Sequence, residues 1–140
     1  VSDCMSSVIA QLDVEQIPFL YAFPNERMPP LKEHTLRIRM SKCEVTAVCQ
    51  EHLIAPDHPV LLQRETVDID IYSPYLFGGE KCELYTKQIF LRLLPVFESG
   101  CIDSMERESC RYDPDTDCFR SRIVLKGSTL LSYLERTVLQ

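Results

Sequence analysis

The sequence predicts an α+β domain: an antiparallel sheet of about five to six strands, with a short N-terminal helix and a C-terminal helix packed on it. Three observations carry that expectation. Period-two alternation recurs in the middle of the chain, helical spacing marks both ends, and the 4 glycines in 140 residues leave little room for glycine-rich loops. A chain of this length buries roughly 68–70% of its unfolded surface, enough for one core without metals or disulfides. Residues 1–140 therefore read as a single protein-interaction domain.

Met5, Val8, Ile9 and Leu12 fall on one face of a helix, with Ser2 or Asp3 as its cap. Ile17 to Tyr21 is apolar apart from Pro18, and prolines at 24, 29 and 30 argue against a long element before Leu31. Leu36, Ile38 and Met40 alternate with Arg37 and Arg39. Val67, Ile69 and Ile71 alternate with Asp68 and Asp70. Phe119 to Lys126 sets Phe119, Ile123 and Leu125 against Arg120 and Arg122. Glu83 to Leu94, with Ile89, Leu91 and Leu93 on one face, reads as a further strand, and Cys43 to Cys49 as a fifth. The chain closes on an expected helix that Ser128 caps and that buries Leu130, Leu131, Leu134 and Val138. The polar stretch 98–116 is long for a loop in a compact domain, which points to a functional, stapled or mobile segment.

Composition excludes several function classes. The net charge of −6 argues against nucleic-acid binding driven by bulk charge. No apolar run approaches the roughly 20 residues of a membrane span. No glycine-rich phosphate loop is present, and no local signature selects a nucleophile and base, so no catalytic residue is assigned and no cofactor is expected.

The seven cysteines allow two settings. A reduced chain implies an intracellular domain of cytoplasm or nucleus, the reading preferred here. An oxidised one implies a secreted, disulfide-linked ligand or receptor-binding protein, with Cys101, Cys110 and Cys118 stapling the polar loop. Cys43, Cys49, His52 and His58 are the candidate zinc ligands, although their spacing departs from the usual pattern. Asp113, Asp115 and Asp117 match the first half of a calcium loop, but Cys118 and Val124 stand where its glycine and glutamate belong. The expectation is therefore no bound metal.

The strand charges offer a binding surface. If neighbouring strands pair, Arg37, Arg39, Arg120 and Arg122 meet Asp68 and Asp70 as cross-strand ion pairs. Otherwise the four arginines form a cluster for a carboxylate or phosphate on a protein partner, since the guanidinium fork matches such groups.

Two segments extend this reading. Cys4-Met5-Ser6-Ser7-Val8-Ile9-Ala10-Gln11-Leu12 resembles the short helix that precedes the first polo box of polo-like kinases. Lys126-Gly127-Ser128-Thr129-Leu130-Leu131-Ser132-Tyr133-Leu134 is similar to the start of the helix that closes that box. The resemblance implies a divergent polo-box domain, with a polo-box-like or PH-like arrangement of sheet and terminal helix. It further implies a localisation or scaffolding role of the kind seen on kinetochore or centriole proteins, as a homodimer or beside a second box. The chain lacks the family's tryptophan and its glycine-rich strand motif, so no ligand-binding residue carries over.

Overall fold

A computed structural model describes residues 4–22, 31–48 and 60–131. The elements run α1 (Cys4–Val14), β1 (Leu20–Tyr21), β2 (Thr35–Val48), β3 (Val60–Pro74), α2 (Gly79–Leu93), β4 (Ile102–Arg107), β5 (Arg111–Asp113) and β6 (Cys118–Leu131). The fold is α+β, as the alternation predicts, with six strands in the order β1-β2-β3-β6-β4 and β5 paired to β6. The sheet is mixed: β1 runs parallel to β2 at one edge, and every other pairing is antiparallel.

Both helices pack on the same face of the sheet. Val8 and Leu12 of α1 and Ile89 and Leu93 of α2 join Leu36, Ile38, Val67, Ile69, Ile71, Ile123 and Leu125 in one core. These strand residues are the apolar members of the three alternating runs, so strand periodicity alone identifies the covered face. Helix α1 is anchored from a distance. The backbone N–H of Cys4 donates to Oε2 of buried Glu65 on β3 at 2.8 Å, placing a carboxylate where the helix amides point. Ser2 and Asp3, the expected caps, lie outside the described residues.

Among the described residues, the helix of the second half of the chain is α2, and it replaces the expected strand at Glu83 to Leu94. Its buried residues are Cys82, Thr86, Ile89 and Leu93, a 3.6-residue period, whereas Leu91 is exposed. The alternation of Ile89, Leu91 and Leu93 fits a strand equally well. The deciding position is Thr86, a polar residue in the buried stripe. Its hydroxyl donates to the Cys82 carbonyl at 2.8 Å and contacts the hydroxyl of Ser121 on β6.

The expected terminal helix is corrected at its start. Residues 128 to 131 continue β6, which pairs along its whole length with β3, from Leu61↔Leu131 to Pro74↔Cys118. The Ser128 hydroxyl donates to Asp103 at 2.9 Å and its N–H to the Cys101 carbonyl at 3.0 Å, so Ser128 caps no helix. Leu134 and Val138 lie outside the described residues. Gly127 explains why the strand can pass here: a Cβ at this position would stand 1.8 Å from the Cys101 carbonyl oxygen and 2.4 Å from the Cys4 sulfur. Two further expectations are refined. The stretch from Cys43 belongs to the same strand as Leu36, and the polar region 98–116 contains β4 and β5.

Candidate interaction face

The opposite face of the sheet, which neither helix covers, carries the charges. Register sets Arg37 opposite Asp70 and Arg39 opposite Asp68 across β2 and β3, and Asp70 opposite Arg122 across β3 and β6. All four arginines singled out in the sequence are thus brought to one face. Arg39 meets Asp68 at 3.3 Å, Arg120 meets Asp70 at 3.3 Å, and Arg122 Nε donates to Asp70 at 2.6 Å. Arg122 also stands 4.0 Å from Asp68, and Arg120 stands 3.9 Å from Asp113 of β5. The side chains of Asp68 and Asp70 are only 7% and 4% exposed. The cross-strand ion pairs therefore form, but the carboxylates are buried beneath the arginines.

This burial matters energetically. A paired charge at such a site loses solvation and regains it only through close, hydrogen-bonded partners, so removing one partner strands the other. Burial works to lower the Arg122 pKa, but the hydrogen bond it donates to Asp70 and the charges of Asp70, Asp68 and Glu108 outweigh it and hold the guanidinium above its ordinary value. Tyr72, on the same face, has its phenol pushed up, first by burial and then by Asp70, and lies beneath Arg120 at 5.6 Å from guanidinium carbon to ring centroid. Arg39 is the most exposed of the paired arginines, at 42%. It also lines an open groove of ≈570 Å³ with Met5, Tyr21, Ala22, Ile38 and Met40.

The cysteines separate into two groups. The Cys4 thiol donates to the Cys101 carbonyl at 3.2 Å, and Cys101 sulfur lies 3.4 Å from the Ser7 hydroxyl. Cys110 and Cys118 instead gather near Cys82 of α2. Cys101 thus lies apart from the other two cysteines of the polar segment, and among the described residues no two cysteines stand at disulfide distance. Cys43 is exposed, whereas Cys49, His52 and His58 lie outside the described residues. Among the described residues no group of three or more ligating side chains is placed to hold a metal. The aspartates near 115 build a turn between β5 and β6: Asp113 accepts the N–H of Asp115 at 3.0 Å, and Asp117 accepts the Tyr112 hydroxyl at 2.5 Å.

Glu83 ties this region to α2. Its carboxylate accepts the Cys110 N–H and pairs with Arg107 at 2.5 Å, and these two contacts, the Cys110 amide first, hold its pKa below the ordinary carboxylate value. No helix among the described residues is long and apolar enough to cross a membrane. No protein-family model matches the chain, and no curated protein matches it.

Proposed function

We propose that this domain is a non-catalytic protein-binding module that serves localisation or scaffolding within a larger protein. The observation that carries the reading is the one-sided sheet. One face is sealed by α1 and α2, and the other presents Arg39, Arg120 and Arg122 over a buried carboxylate pair. Such a face suits recognition of an acidic protein surface. The rigid strands fix the guanidinium positions, and the internal carboxylates hold the arginines extended before a partner arrives. They also compete with the partner, so binding requires a surface that offers several acidic groups rather than one.

A polo-box relationship remains compatible with α1, which forms where that resemblance places a helix, but the reading does not rest on it, because Lys126 to Leu131 is strand. A second copy of the chain is a candidate partner alongside a different protein.

The test is cross-linking in the native cell with the whole protein, comparing wild type with an Arg39→Glu/Arg122→Glu variant whose circular dichroism is unchanged. A discrete protein adduct that the variant loses supports the reading. An adduct insensitive to the reversal, or its absence at every face probed, overturns it. If the paired reversal prevents folding, Arg39→Glu alone is used, since Arg39 is the more exposed.

A further inference from the structure

Cys82 and Cys110 are far apart in sequence and meet in the fold. Cys82 is fully buried in the first turn of α2, and Cys110 is partly exposed between β4 and β5. The meeting is fixed independently of the sulfurs, because the side chain of Glu83, next to Cys82, accepts the backbone N–H of Cys110 and also holds Arg107. Cys82 is also the side chain that acts most strongly on the Cys110 thiol. We propose that Cys82 and Cys110 are a redox-modification site, a dithiol that a low-molecular-weight disulfide such as oxidised glutathione converts to an intramolecular disulfide.

The step balances as two exchanges. The thiolate of Cys110, the partner that solvent reaches, attacks one sulfur of oxidised glutathione; a mixed disulfide forms and one glutathione thiolate leaves. The Cys82 thiolate then attacks the Cys110 sulfur, the Cys82–Cys110 bond forms and the second glutathione thiolate leaves. Two protein thiols are oxidised, one glutathione disulfide is reduced to two thiols, and the protons lost by the cysteines pass through solvent to glutathione.

Burial, with the Cys82 thiol next, pushes the Cys110 pKa up to about 12. Its thiolate is scarce at neutral pH, so closure is slow and accelerates about tenfold per pH unit between pH 7 and 9. This distinguishes the pair from a fast peroxide sensor, whose thiol is acidified.

The experiment incubates the folded chain in a glutathione redox buffer, alkylates the remaining thiols and maps tryptic peptides. Cleavage after Lys81, Lys87, Arg107 and Arg111 isolates Cys82 and Cys110 on separate short peptides, 82–87 and 108–111, and Cys118 on 112–120. The expected product links 82–87 to 108–111, in wild type and in Cys118→Ser alike. In Cys82→Ala, which retains the remaining thiol if it folds, Cys110 stops at one glutathione adduct. A link from 108–111 to 112–120, or a wild-type protein that stops at the mixed disulfide or stays fully reduced, overturns the proposal.

Discussion

Arg122 Nε donates to Asp70 Oδ1 at 2.6 Å, and the carboxylate that accepts this bond is among the most buried charged groups of the sheet. Asp70 also meets Arg120, so one carboxylate organises two guanidinium groups of β6 from its place on β3. An ion pair of this kind contributes through mutual dependence. It resembles a keystone more than a surface salt bridge, whose worth is about 0–1 kcal/mol.

Asp70→Ala leaves two arginines without their shared acceptor and should lower stability by about 3–5 kcal/mol. Arg39→Ala removes a pair whose cation is 42% exposed and leaves Asp68 one remaining guanidinium, Arg122 at 4.0 Å, so it should cost less than Asp70→Ala. Urea unfolding of the two variants measures the difference, and similar losses would show that Asp70 holds no special position.

Helix α2 can be tested through its period. Leu93→Ala deletes a fully buried side chain and should cost about 2–5 kcal/mol, whereas Leu91→Ala should change stability by less than about 0.5 kcal/mol. A strand here would place Leu91 on the same face as Ile89 and Leu93 and bury all three, so comparable losses at 91 and 93 would overturn the helix; Cys82 and Thr86 discriminate further, because only a helix buries both with Ile89. Cysteine accessibility to alkylation at position 82 supplies that reading, with protection expected in the native state.

Gly127→Ala should destabilise by about 1–3 kcal/mol, because the new methyl group meets backbone at Cys101 rather than the end of a flexible side chain. Gly79→Ala, whose Cβ would lie 3.4 Å from the Phe119 ring, should be tolerated. Thermal melts of both variants decide the contrast.

His34 predicts a pH dependence. Its ring stacks on Tyr85 at 4.1 Å between centroids and its Nδ1 lies 2.6 Å from the Ser73 hydroxyl. Burial, then the charge of Lys81, lowers its pKa from 6.5. The folded state therefore binds a proton less readily than the unfolded chain. Its contribution is complete above pH 6.5 and is lost as pH falls from there through the lowered folded value. Unfolding free energies between pH 7.5 and 5 should decline in wild type, and His34→Gln should flatten that part of the slope.

The two faces of β2, β3 and β6 are legible because their charged and apolar residues alternate, whereas their registers come from the structure. The arginine cluster followed from the same pattern. The sequence did not reveal that Asp68 and Asp70 are buried, since alternation assigns a face and says nothing of how closely neighbouring guanidinium groups close over it. Helix α2 reads as a strand in the sequence because Ile89 and Leu93 satisfy both periods, Leu91 between them completes an alternation, and the deciding residues, Cys82 and Thr86, are not conspicuously apolar. The end of β6 was misread for a related reason: Leu130 and Leu131 suit a helix locally, but pairing with Leu61 and Leu62 binds them to the sheet. Glu65 was invisible as an anchor for α1, because 61 residues separate it from Cys4.

The long pairing of β3 with β6 has a mechanical consequence. The two strands are joined through 14 consecutive residue pairs, and their hydrogen bonds lie across the strand direction. Tension pulling β3 and β6 past each other along their length loads that ladder in shear, so many bonds must yield together. Tension that peels them apart from one end breaks the bonds in succession at lower force. The direction of pull thus determines whether this domain behaves as a clamp or as a zipper.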